Sequence, residues 1–208
     1  SSKTDTGSSL FGTVISAYTD KNINGYKFDK VENFPLTIGS NESLNVIKVY
    51  YVKDLFDYTI EYYYDNIKDN TKTESGSALF GSLISAYTDK NIDGYKFDKT
   101  EYFPLTIGSN ESLNVIKVYY VKDIFDYTVE YYYDNVLDNT KTETGSALFG
   151  SVISSYTDKN IDGFKFDKTE KFPLTIGSNE SLNVIKVYYV KDSFDYTVEY
   201  YYDNIIDN

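Results

Sequence analysis

The sequence predicts a mostly β protein, α+β at most: an elongated tandem array of three small domains. Three observations lead there. A 69-residue unit is written three times, as FGTVISAYTDKNINGYKFDK from Phe11, FGSLISAYTDKNIDGYKFDK from Phe80 and FGSVISSYTDKNIDGFKFDK from Phe149. A fixed internal period marks repeat architecture. Inside each unit, short runs of aromatic and β-branched residues alternate with polar ones, the period-two pattern of half-buried strands. Turn residues separate those runs, and helix signals are scarce throughout.

The copies are close. Aligned from residues 2, 71 and 140, the first two differ at 13 of 69 positions and the second and third at 8. Columns that change character include Asn33/Tyr102/Lys171, expected in solvent, and Leu55/Ile124/Ser193, in the joint between copies. The domains are placed at 1–70, 71–139 and 140–208. Their phase is open, because the strand at 57–65 and its equivalents can close one unit or begin the next.

Taken in order, Tyr58, Ile60, Tyr62 and Tyr64 alternate with Thr59, Glu61 and Tyr63 as a first strand. Asp65-Asn66 and Asp69-Asn70 form a turn-rich loop. Lys72 to Phe80 reads as a second strand, weakened by Gly76. Ser82 to Tyr87 is expected to be a short helix or an irregular crossover. Asn91-Ile92-Asp93-Gly94 is a turn, and Tyr95 to Lys99 alternates again. Phe103 to Ile107 is a short strand whose Pro104 suits an edge or a start. After a loop at Gly108–Ser112, Asn114 to Val121 is the most apolar run, expected as a central strand buried on both faces. A unit of this size can fold alone.

Composition excludes several functions. The chain has 208 residues, a net charge of −12, and no Cys, His, Met, Trp, Arg or Gln. An acidic surface without Arg disfavours nucleic acid and anionic membranes. Without His or Cys, most nucleophilic triads and nitrogen- or sulfur-rich metal sites are excluded. No disulfide can form, so stability must come from packing. No run reaches the roughly 18 apolar residues that a membrane helix needs, and no signal peptide is visible.

Strand YTVEYYYD, then TKTETG, a G-[ST]-x-I-x-x-Y segment, DGYKFDK and NVIKVYYVKD together resemble the mucin-binding-protein-like (MucBP) repeats of Gram-positive surface proteins. The resemblance spans nearly the whole chain. It implies a ubiquitin-like β-grasp unit, an extracellular parent anchored to the cell wall, and an adhesive or stalk role. The first hairpin departs from the family, with YYYDNIKDN where an Asp-Gly turn is usual.

Four groups of residues are candidates for chemistry. Asp89-x-Asn91-x-Asp93-Gly94, with Asp158, Asn160 and Asp162 in the next copy, matches the first half of a calcium loop. Position 12 of that loop is Thr100 rather than Glu, and a β-turn needing Asp/Asn-Gly explains the motif equally. Lys48, Lys117 and Lys186 sit mid-strand, where a Lys can crosslink to Asn or Asp with Glu61, Glu130 or Glu199 as helper. The plainer alternative is a snorkelling Lys on a solvent face. Of the tyrosine triplets, Tyr62 and Tyr64 should face the core, leaving Tyr63, Tyr132 and Tyr201 outward as glycan contacts. The paired carboxylates lie in turns and converge on no cleft, so no glycosidase and no other enzyme is expected.

The leading expectation is a structural stalk that projects an adhesive tip. The alternatives are repeats that bind mucin or other host glycans weakly with avidity, and a fibre joined by strand addition between copies. No cofactor is implied, and calcium is the one candidate ion. Expected partners are the neighbouring repeats, host glycans and other copies of the chain, but not nucleic acid or a membrane interior.

Overall fold

The computed structural model describes residues 3–90, 92–159, 161–203 and 205–206. It is mostly β, with three single-turn 3₁₀ helices at Glu42–Leu44, Glu111–Leu113 and Glu180–Leu182. The strands in chain order are β1 (Val14–Ile15), β2 (Tyr26–Glu32), β3 (Leu36–Thr37), β4 (Lys48–Lys53), β5 (Leu55–Tyr64), β6 (Ile67–Lys68), β7 (Glu74–Leu79), β8 (Leu83–Ile84), β9 (Tyr95–Glu101) and β10 (Leu105–Thr106). They continue as β11 (Val115–Lys122), β12 (Ile124–Tyr133), β13 (Val136–Leu137), β14 (Glu143–Leu148), β15 (Val152–Ile153), β16 (Phe164–Glu170), β17 (Leu174–Thr175), β18 (Val184–Lys191), β19 (Tyr201–Tyr202) and β20 (Ile205–Ile206). No helix among the described residues is long and apolar enough to cross a membrane. The chain divides into two compact units, residues 1–90 with 98–119, and residues 91–97 with 120–208.

In the second unit, β12 organises a five-stranded mixed sheet. On one side it pairs antiparallel with β14, from Ile124↔Leu148 to Val129↔Glu143, and with β13 through Tyr132↔Leu137. On the other side it pairs parallel with β18, from Thr128↔Val184 to Tyr133↔Tyr189. β16 closes the far edge, antiparallel to β18, with a bulge between Phe166 and Lys168. A bulge and two lysines on that edge discourage further pairing. The core lies on one face: Val129, Tyr131, Leu174, Ile176, Ile185, Val187 and Tyr189 are buried together.

In the first unit, β5 has the same surroundings. It pairs antiparallel with β7 from Leu55↔Leu79 to Ile60↔Glu74, and it adjoins β11. Among the described residues, strand β5 does not hairpin back onto β4, whose partner is β2. With two strands, that sheet leaves Ile47, Val49 and Tyr51 half-exposed, whereas the equivalent Ile116, Val118 and Tyr120 are sealed under the longer sheet.

Several local expectations change for physical reasons. The apolar run in β11 is not buried on both faces. Ile116, Val118 and Tyr120 are inside, while Val115, Lys117 and Tyr119 point to the half-covered outer face. Of the two alternatives for the segment after Gly81, the irregular one holds: no helix forms, and Leu83–Ile84 pairs briefly with β10. Gly76 does not weaken β7 by accident. It sits opposite Tyr58, whose ring lies where a Cβ would stand, with Tyr58 Oη 2.7 Å from that position. Gly145 and Tyr127 repeat the pairing. Asp65 and Asn66 both take positive φ, 50° and 65°, and close the β5–β6 hairpin. Both short polar residues tolerate the left-handed region, so Asp-Asn performs the turn without glycine.

Candidate functional site

The outer face of each sheet carries the most ordered polar cluster. Tyr63 on β5 and Tyr119 on β11 stack with centroids 4.8 Å apart. The Tyr63 hydroxyl donates to Glu61 at 2.7 Å and the Tyr119 hydroxyl to Glu101 at 3.0 Å. Lys68 donates to Glu61 at 2.5 Å, and Lys99 to Glu101 at 2.9 Å. Lys117 Nζ hangs over the rings of Tyr63 and Tyr102, at 5.9 and 5.8 Å. The second unit keeps part of the arrangement, with Tyr132 stacked on Tyr188 at 4.9 Å and Lys186 over Tyr132 at 5.5 Å, but Leu137 and Lys171 stand where the first unit has Lys68 and Tyr102. Glu61 holds the Tyr63 phenol, and Glu130 the Tyr132 phenol, well above the ordinary value, each to about 12.

This geometry corrects one expectation and locates others. Tyr63 and Tyr132 are not free outward rings; they are half-buried and pressed against a neighbouring Tyr, so each offers an edge rather than a face. Tyr201 is exposed, with its hydroxyl on Glu199 at 2.6 Å. Lys48 is exposed, and Lys117 and Lys186 are half-buried on the outer face, outside the core where a shielded crosslink would form. Among the helper carboxylates, Glu61 accepts hydrogen bonds from Lys68 and Tyr63, and the Lys117 charge acts on it as well.

The calcium motif is a turn in this fold. Tyr95 N–H donates to Ile92 C=O at 3.0 Å, and Gly94 takes a φ of 81°. Asp158 accepts a short hydrogen bond from Tyr189. Asp93 lines a shallow cleft with Phe125, Ser178, Asn179, Glu180 and Ser181, while Asp89 and Asp162 are exposed. Asn91 and Asn160 lie outside the described residues. Among the described residues, no group of three or more acidic side chains converges on a metal position.

The feature least visible in the sequence is the joint that follows β4 and β11. In the first unit, Asp54 N–H donates to Gly25 C=O at 2.9 Å, and Asp54 C=O accepts Phe80 N–H at 2.8 Å. Its carboxylate accepts from Leu55 N–H and Lys27 Nζ, each at 2.9 Å. The Phe80 ring lies directly on Gly25, where a Cβ would overlap it. In the second unit, Asp123 binds Gly94, Phe149, Ile124 and Lys96 in the same way, and Phe149 covers Gly94. Lys27 and Lys96 hold Asp54 and Asp123 below the usual carboxylate value. The signal was present in the repeat: a Gly at each turn, and a Phe at a fixed distance beyond it.

Phenols also fix the loop from Ser154 to Lys159, which has no regular structure. Tyr131 donates to Thr157 C=O at 2.6 Å and Tyr133 to Lys159 C=O at 3.0 Å, while Tyr189 accepts from Lys159 N–H at 3.1 Å.

Neither a family model nor a curated protein matches the chain. The solved crystal structure of Mub-RV is similar over 66% of this chain and 100% of that one, at 12% identity and a TM-score of 0.23. A likeness that loose carries no argument about function.

Proposed function

We propose that the chain is a structural spacer: tandem repeats of a bacterial surface adhesin that hold a binding tip away from the cell wall, with no catalytic role. One observation carries this reading. The joint residue is a structured element, with its N–H, C=O and carboxylate all engaged at Asp54 and again at Asp123. A joint that uses every polar group it has resists bending, as a flexible linker does not. On this reading the repeating unit begins at the strand after the joint, Leu55 or Ile124, and ends at Lys122 or Lys191. The extracellular, wall-anchored setting follows from the family resemblance of the motifs.

The test is small-angle scattering of the chain beside a variant with a short Gly-Ser insertion after Asp123. The spacer reading expects the insertion to broaden the distribution of interatomic distances. Identical curves would mean the joint was already loose, and the reading would fall.

Strand addition between copies is the second reading, favoured by a specific pair of surfaces. Among the described residues, the β4 edge has no partner on one side. The segment equivalent to β12, with Phe194 71%, Tyr196 87% and Val198 57% exposed, has no strand partner among the described residues before β19. Sedimentation at rising concentration distinguishes the readings, since strand addition increases the size and a spacer does not.

A further inference from the structure

The turns ending in Gly25, Gly94 and Gly163, whose carbonyls accept Asp54, Asp123 and Asp192 N–H, differ at one residue. The first copy reads Asn24-Gly25, while the others read Asp93-Gly94 and Asp162-Gly163. No other Asn in the chain precedes Gly. Asn24 is exposed on the turn that Tyr26 N–H closes onto Ile23 C=O at 3.0 Å. Its side-chain amide has no hydrogen-bond partner among the described residues, and neither does Gly25 N–H. Gly25 has no side chain to hinder its nitrogen, and its φ of 82° shows a position that glycine fills without strain.

We propose that Asn24 is a site of spontaneous deamidation, a covalent modification that converts the first turn towards the chemistry of the other two. The Gly25 main-chain nitrogen attacks the Asn24 side-chain carbonyl carbon. A nitrogen–carbon bond forms in a five-membered imide, the bond from that carbon to Nδ2 breaks, and the amide leaves as ammonia carrying the proton of Gly25 N–H. Water then adds to one imide carbonyl. Opening one bond gives an ordinary aspartate in place of Asn24, and opening the other gives isoaspartate, whose main chain is one carbon longer. The net change is one water consumed and one ammonia released.

The joint governs the rate. Gly25 C=O holds Asp54 N–H at 2.9 Å, and the Phe80 ring covers Gly25, so the main chain can rotate into the attacking geometry only when this contact opens locally. The products differ in consequence. The ordinary aspartate reproduces the residue that the other two turns already carry. Isoaspartate lengthens the turn beneath Asp54 and shifts the carbonyl that Asp54 binds, loosening that joint alone.

The experiment incubates the folded chain at mildly alkaline pH, digests it after lysine, and follows the peptide Asn22–Lys27 by mass and chromatography. The expected result is a gain of about 1 Da on that peptide, the change of an amide into an acid that makes asparagine thermolabile. It should split into two chromatographic forms, while other Asn peptides stay unchanged. Asn24→Asp should abolish the mass change. Phe80→Ala should speed it about tenfold by making local opening easier. An unchanged peptide from the folded chain, at times when the urea-unfolded chain has fully converted, would overturn the proposal. So would gains spread evenly over several Asn peptides.

Discussion

At the scale of single residues, buried polar groups decide more than charged ones. Asn183 is 2% exposed, its Oδ1 accepting Gly177 N–H at 2.9 Å and its Nδ2 donating to Gly177 C=O at 2.8 Å and Asp126 C=O at 3.2 Å. Asn183→Ala leaves those groups unpaired in the interior, and chemical denaturation should show a loss of about 2–3 kcal/mol. The column Asn33/Tyr102/Lys171 has the opposite character. All three residues have positive φ, 56°, 58° and 52°, where Asn is the least strained non-glycine residue. Asn33 reaches Val46 C=O with its own amide at 3.1 Å, and Lys171 reaches Leu182 C=O at 3.2 Å. Lys171→Asn should therefore raise the thermal midpoint, by about 0.5–1 kcal/mol of relieved backbone strain. The solvent position expected for this column holds at all three residues, with Tyr102 65% exposed. The left-handed backbone beneath it was hidden, because Tyr and Lys are not residues that announce such a turn.

At the scale of elements, the strands were legible wherever side chains alternate. Tyr58, Ile60 and Tyr62 gave β5, and the hydrophobic run gave β11. Register and pairing were not, since period two identifies the faces of a strand but not its neighbours. The apolar run suggested two buried faces because tyrosine counts as apolar there, yet Tyr119 uses its hydroxyl on Glu101 at the outer face. The joint shows the same limit, for nothing local in GYKF says that a distant Phe will rest on its glycine. That contact makes two chemically equal substitutions unequal. Gly94→Ala meets both a positive φ and the Phe149 ring, and calorimetry should find a cost of about 2–5 kcal/mol. Gly163→Ala meets the positive φ with nothing within 4 Å, so about 1–2 kcal/mol is expected. Equal losses at the two sites would show that the ring contributes nothing.

At the scale of the whole molecule, a chain with 24 tyrosines and no histidine has its pH limits set by phenols and carboxylates. Burial lifts Tyr64 to about 12, and carboxylate neighbours do the same for Tyr63 and Tyr132. Because the folded values exceed the ordinary 10.0, the stability tied to these neutral phenols is complete below about pH 10 and is lost as pH rises through 12. On the acid side, Lys90 and Lys159 hold Glu74 and Glu143 below 4.5. That contribution is present above the ordinary value and is lost as pH falls through the lowered one. A stability profile should be flat between these limits. Alkaline unfolding should coincide with a late wave of phenolate absorbance, and a single early wave at the ordinary phenol value would contradict the structure.

The loop from Ser154 to Lys159 has neither a ladder nor a helix, yet phenols from Tyr131, Tyr133 and Tyr189 grip its carbonyls, an amide and a carboxylate. Order there is borrowed from the core rather than built into the main chain. Such a segment separates two properties that usually travel together. Its amides from Ser154 to Thr157 should exchange with deuterium as quickly as those of a floppy tail, while its peptide bonds resist proteases that need a pliable strand. Tyr131→Phe with Tyr133→Phe keeps the rings and removes the two donors, and cutting would then begin at the loop with the sheet still standing.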